Sequence, residues 1–178
     1  INPALNIDSD WQRHKLNIDA WASLGRDHEN NCENYEDYGV SGDFRYDLAD
    51  KSNLFCSLGY KKAHEDRSSS DEAYGFTPTF YSRTEAALGM VHNFGGLWTR
   101  FGVTRDRFDF DNVDSRRGVI NNNDRDRDMD AAGIRVGYPI SATVDLFAQA
   151  AYDRRNYDEK IDDNGFARDS DGSRLAGG

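Results

Sequence analysis

The chain is poor in several features that normally guide a reading. It has only two cysteines among 178 residues, Cys32 and Cys56. That is too few for the disulfide framework of a small secreted domain. Long apolar runs are missing, and nothing approaches the ~20 consecutive apolar residues of a membrane-crossing helix. Excess positive charge is missing too. Lys and Arg number 22 against 32 Asp and Glu, a net charge of −10. Such acidity makes nucleic acid an unsuitable partner. No charged segment followed by an apolar one opens the chain, so any signal peptide is expected to be absent or already removed. Helical periodicity is scarce.

What the chain does have is alternation. Leu16, Ile18, Ala20, Ala22 and Leu24 interleave with Lys15, Asn17, Asp19, Trp21, Ser23 and Gly25. The same holds for Val40 to Leu48, Leu54 to Tyr60, Ala86 to Met90, Phe101 to Val103, Ile134 to Tyr138 and Val144 to Tyr152. One row is apolar; the other is small, polar or charged. A period of two is strand geometry. Aromatics make up 12% and recur at regular places, which argues against disorder.

The spacing predicts strands over about residues 12–26, 37–48, 53–65, 80–93, 97–109, 127–139 and 143–157, with partial strands at 1–7 and 171–178. Short connections fall at Asp8-Ser9-Asp10, Ala49-Asp50-Lys51-Ser52, Asn93-Phe94-Gly95-Gly96 and Ile140-Ser141-Ala142-Thr143. Long polar ones fall at about residues 27–36, 64–79, 109–126 and 156–170. A weak internal repeat supports the unit: residues 44–66 lie without gaps on 136–158. Tyr46 then matches Tyr138, Leu54-Phe55 matches Leu146-Phe147, and Tyr60 matches Tyr152.

Two all-β architectures fit antiparallel strands of this kind. In a soluble barrel or sandwich the apolar row faces inward. In a transmembrane up-and-down barrel it faces lipid and the polar row faces the lumen. Three features favour the second. Charged residues of both signs sit at mid-strand in the polar row. Turn lengths are polarised, short on one side and long on the other. Tyrosines bracket the apolar row: Tyr46 and Tyr138 lie near short turns, Tyr38, Tyr60 and Tyr152 toward the long loops. Tyr38 to Tyr46 spans about 27 Å of strand, or roughly 20 Å once tilted by ~40°, close to the ~25 Å band between aromatic girdles. The first and last segments read as partial strands, so the chain is expected to be an interior portion of a larger barrel, because lipid tolerates no open sheet edge.

Several segments also resemble a known family. They are Pro3 to Asp10, Trp11 with His14, Asn121 to Asp130 (NNNDRDRDMD), Tyr152 to Asp158 (YDRRNYD) and Arg168 to Gly172. The chain is similar to the putative β-barrel porin 2 family of proteobacterial outer-membrane proteins, over essentially its whole length. The resemblance implies a porin-like barrel, in some members associated with exopolysaccharide or capsule production. It carries over no catalytic residue.

Candidate chemistry is weighed against plainer readings. Asp124, Asp126, Asp128 and Asp130 alternate with Arg125 and Arg127. A strand through them sets the four carboxylates on one face. They could form a weak cation site shared with Asp109 and Asp111, or cross-strand pairs with Arg105 and Arg107. The second reading is favoured. His28 sits beside Asp27 and Glu29, and His64 beside Glu65 and Asp66. No nucleophile accompanies either, so no catalysis is expected. Cys32 and Cys56 fall at opposite heights of one hairpin, too far apart to bridge.

The most informative set is the charged row. Asp43, Arg45, Arg83, Glu85, Arg100, Asp106, Arg135, Asp145, Gln149, Asp153 and Arg155 are the expected pore-lining residues. Either they line an aqueous channel, or they pair off inside a plugged barrel while Trp21, Phe55, Trp98 and Phe147 fold across neighbouring glycines. The expectation is an outer-membrane barrel without cofactor or metal, its partners being lipid and a hydrophilic solute or polysaccharide. The alternative is a structural or adhesive barrel acting through acidic external loops.

Overall fold

The computed structural model describes residues 1–29, 31–49, 51–69, 75–162 and 164–178. Asp50 of the expected turn, and residues 30, 70–74 and 163 of the expected loops, lie outside the described residues. Eleven strands are described: β1 (Ala4–Asp8), β2 (Lys15–Gly25), β3 (Tyr35–Ala49), β4 (Ser52–His64), β5 (Phe80–Phe94), β6 (Leu97–Phe110), β7 (Val113–Ser115), β8 (Gly118–Ile120), β9 (Arg127–Pro139), β10 (Asp145–Tyr157) and β11 (Ser170–Gly177). Nine form one antiparallel sheet in the order β1-β2-β3-β4-β5-β6-β9-β10-β11. The sheet is all-β and open, with β1 and β11 as its edges. Each long strand pairs with its sequence neighbour, apart from the small β7–β8 hairpin inserted between β6 and β9.

That hairpin is absent from the sequence reading, which treats residues 109–126 as plain loop. Its strands are three residues each, too short for alternation to show. The short turn between β5 and β6 is legible: Gly95 has φ +79° and Gly96 φ +156°, left-handed values that suit glycine. Asn93 Oδ1 accepts a hydrogen bond from the Gly95 N–H at 2.9 Å and closes the turn. The two repeat segments are equivalent hairpins. Tyr46 opposes Leu54 on β3–β4, and Tyr138 opposes Leu146 on β9–β10.

The sheet has no apolar core of ordinary size. Among the described residues the buried hydrophobics are Ala63, Phe110 and Val113. The apolar row lies open instead: Leu58 is 66% exposed, Leu88 56% and Leu146 56%. On the same strands Phe55, Gly89 and Phe147 of the polar row are more covered, as is Trp98 of β6. A flat sheet would expose both faces alike, so the sheet curls with its polar face inward. The accessible surface is 12117 Å². A compact soluble monomer of this mass would show roughly 8,800 Å².

The register also carries the strand tilt. The apolar run of β2, Leu16 to Leu24, has its midpoint at Ala20. Through Val40, Tyr60, Thr84, Arg107 and Asp128, Ala20 aligns with Asn156 of β10. The apolar run of β10, Leu146 to Tyr152, has its midpoint at Gln149, about seven residues away. Seven residues are about 24 Å along the strand, and six strand steps are about 29 Å across. An apolar band perpendicular to a barrel axis slips this way when strands tilt by about 40°, inside the usual range for barrels.

The polar face as candidate functional site

All eleven expected lining residues lie on the polar face, because each occupies an inward parity of its strand. They do not form one cluster. Arg83 of β5 places Nε at 2.9 Å and Nη2 at 2.6 Å from Asp106 Oδ1 of β6. Its Nη2 also lies 3.0 Å from Glu85. Arg45 pairs along its own strand with Asp47 at 2.9 Å. Asp153 of β10 lies 3.7 Å from Arg174 of β11. Arg100 and Arg135 stand opposite each other on β6 and β9. Their nearest companions are rings. Arg100 Cζ is 5.3 Å from the centre of Phe55, and Arg135 Cζ 3.9 Å from that of Phe147. Asp43, Asp145, Gln149 and Arg155 are exposed on the same face.

Aromatics share that face with the charges. Trp21 lies across Gly39, Phe55 across Gly89 and Trp98 across Gly137, each ring occupying the space a side chain on the glycine would need. Phe147 lies against Gly178. The glycines of the polar row therefore make room for rings from the neighbouring strand.

At the long-loop end the polar face opens into a cavity of about 910 Å³. Its wall was not foreseen. Arg125 forms an ion pair with Glu65, and Arg168 pairs with Asp124 at 2.8 Å. Arg125 Cζ lies 4.1 Å from the centre of Phe110, and Arg127 Cζ 4.5 Å from that of Phe108. These partners are 60 and 44 residues apart in sequence, so no local motif announces them. His64 also lies on this wall. Its ring nitrogen contacts Asp37 at 2.8 Å and its ring stacks on Tyr35 at 4.0 Å. Its carboxylate partner is thus Asp37 of β3 and not the adjacent Glu65 or Asp66. His28, in the first long connection, does not line the cavity.

One expectation needs correction. Asp124, Asp126, Asp128 and Asp130 do not share a face. β9 begins only at Arg127; residues 123–125 form a 3₁₀ turn that takes Asp124 inward to Arg168. Asp126 accepts the Phe110 N–H at 2.7 Å. Burial pushes the Asp126 carboxyl up, although this hydrogen bond partly opposes it. Asp128 and Asp130 alone lie on the apolar parity of β9, where Arg105 reaches them at 2.7 and 3.6 Å. Arg107, beside Arg105, bonds Asp158 at 2.6 Å and holds that carboxyl below the usual range. The tilt explains these exterior charges. They lie in register with Leu58 or Tyr60 of β4, yet beyond the apolar run of β6.

A family model described as putative β-barrel porin 2 matches residues 1–178. The chain belongs to that family. No curated protein and no solved structure matches it. The porin family accounts for the inverted surface: a porin-type barrel carries its charge inward and its apolar side chains outward. Cys56 then sits on the outward row as a small apolar residue.

Proposed function

We propose that this porin-family chain forms the wall of an outer-membrane β-barrel that passes hydrophilic solutes along its polar face. The observation that carries the reading is the inversion of surface: the apolar row is exposed while charged side chains pair on the inner, covered face. The register fits the same reading, since the apolar runs of β2 and β10 are offset by about seven residues, as tilted barrel strands would offset them. Short turns then face the periplasm, and the long acidic connections face outward. In lipid both sheet edges must find partners, so conduction belongs to the closed barrel. Passage of a polysaccharide is the longer-chain form of the same reading, and a conduit of this kind needs no catalytic step of its own.

The test is conductance of the purified protein in a planar bilayer. Discrete, voltage-stable current steps are expected. A membrane that stays closed refutes the channel. A second reading, a structural or adhesive barrel, draws on the rings of Trp21, Phe55, Trp98 and Phe147 laid across the polar face. It expects no current and loss of surface attachment when the external loops are trimmed.

A further inference from the structure

The loop-end cavity holds one cation that the fold does not neutralise. Arg125, Arg127 and Arg168 all line it, with Glu65, Asp66 and Asp124 as its carboxylates. Arg125 is paired with Glu65, and Arg168 with Asp124 at 2.8 Å. Asp66 is taken up by its own turn, where it accepts the Ser68 N–H at 2.7 Å and the Ser68 hydroxyl at 2.6 Å. Arg127 is left over. Among the described residues it has no carboxylate oxygen within 4.0 Å. The register shows why. On β6 the carboxylate diagonal to Arg127 is Asp106, which Arg83 already holds. On β10 the corresponding diagonal residue is Arg155, a further cation.

Arg127 is nonetheless well placed. Its direct partners in the register are Phe108 of β6 and Tyr157 of β10. Its Cζ lies 4.5 Å from the centre of the Phe108 ring, 5.6 Å from that of Phe110 and 5.8 Å from that of Tyr157. Its Nη1 donates to the Arg125 carbonyl oxygen at 3.0 Å. A ring covers the flat face of a guanidinium but uses none of its in-plane N–H donors. The other two guanidiniums of the cavity stand close by. Arg125 shares the Phe110 ring, at 4.1 Å, and Arg168 shares the Tyr157 ring, at 5.4 Å. Together with Arg155 they repel Arg127. A half-buried charge among like charges is costly until a counter-ion reaches it.

We infer that Arg127 anchors an oxyanion site in the loop-end cavity, which takes the carboxylate or phosphate group of a small hydrophilic solute. The edge of its guanidinium suits such a group, which it binds through two parallel N–H bonds. The rings keep water from part of the guanidinium and so strengthen the attraction. The cavity volume of about 910 Å³ lies in the range of small-ligand sites, roughly 300–1,000 Å³, and leaves room for the rest of the solute. That the solute then passes through the lumen rests on the pore reading; binding does not.

The experiment is isothermal titration calorimetry on the whole protein in detergent at fixed ionic strength. Glucuronate supplies the carboxylate, glucose 6-phosphate the phosphate, and glucose neither. Saturable heat is expected with one or both acids and not with glucose, and the acid that binds identifies the group recognised. R127Q is expected to weaken binding about tenfold or more. R155Q removes the same charge from the same face but does not line the cavity, and should stay within about threefold. If R127Q does not fold, N121D makes the comparison. Asn121 lines the cavity, the isosteric replacement keeps the acceptor for the Asn123 N–H, and the added carboxylate should weaken binding about threefold or more. Binding without any current in planar bilayers supports the site and removes the pore reading. Four results overturn the site whatever the conductance: no saturable heat with either acid, equal affinity for glucose, wild-type affinity in the folded R127Q or N121D variant, or a loss in R155Q as large as in R127Q.

Discussion

Replacing Leu58 with Arg separates a lipid-facing surface from a water-facing one. Leu58 is 66% exposed and stands one residue from the midpoint of the β4 apolar run, Leu54 to Tyr60. Its register partners on the outer face are Gly42 and Ala86, neither of which offers a charge to pair with. In water, a change at so open a position costs within about 0.5 kcal/mol, because few contacts are lost and the new charge is solvated. In a bilayer, Arg at mid-depth on a barrel's outer face costs about 2–4 kcal/mol, whereas near the interface it costs about 0–1. At ~1.4 kcal/mol per decade the mid-depth cost is roughly a 30- to 700-fold fall in the folded population. Thr84→Arg is the depth control, since Thr84 lies beside Arg107 and beyond the apolar run. The assay is reversible denaturant unfolding of the protein from lipid vesicles, followed by tryptophan fluorescence. The expected order is wild type, then T84R close to it, then L58R well below both. L58R within ~0.5 kcal/mol of wild type, or T84R worse than L58R, refutes the assignment of this face to lipid.

Three further outcomes are expected. Asp106→Asn removes the charge that both Arg83 nitrogens approach and should lower stability by about 1–2 kcal/mol, with most of the loss absent in a Arg83→Gln background by double-mutant cycle. Gly137→Leu would drive a side chain into the Trp98 ring and should cost about 1–3 kcal/mol while flattening the near-ultraviolet circular dichroism of the ordered tryptophan. Two carboxyls respond to pH in opposite senses. Asp158 is held low by Arg107, so its contribution is present above the ordinary carboxylate range and lost as pH falls through its folded value. Asp126 is pushed up mainly by burial, so its contribution is present below that range and lost as pH rises through its folded value. Unfolding measured against pH should therefore show Arg107→Gln flattening the acid limb, and Asp126→Asn stabilising the protein at neutral pH by removing a buried charge while keeping the acceptor for Phe110. A D126N variant less stable at neutral pH than wild type contradicts the second point.

The strands were legible because alternation over a dozen residues has few other causes. Their ends shift by a few residues where turn chemistry competes: the first expected strand, 12–26, runs Lys15–Gly25. The β7–β8 hairpin and the 3₁₀ turn at 123–125 were not legible, since three residues carry no period. That turn is why the run NNNDRDRDMD misleads. It looks like one strand with four carboxylates on one side, but only its last four residues lie in β9. The ring-on-glycine contacts were foreseeable as an option, because bulky and glycine positions alternate on neighbouring strands. Which ring meets which glycine depends on register. The loop-end cavity was not foreseeable at all: Glu65, Arg125, Asp124 and Arg168 come from three separate connections.

The amino-acid sequence by itself determined which side chains share a face. Successive residues of a strand point to opposite sides, and that follows from backbone geometry alone. It also determined the polarity of the connections, through their lengths. Only the tertiary structure decided which face is covered and which charge meets which. Curvature is a property of nine strands together, and no single alternating segment encodes its sign. Pairing depends on register, and register set Arg83 diagonally to Asp106, whose direct partner is Glu85, yet left Arg100 facing Arg135. Those two pairs lie on adjoining strands with the same alternation. They differ because a shift of a few residues along the neighbour brings a carboxylate to one arginine and a second cation to the other.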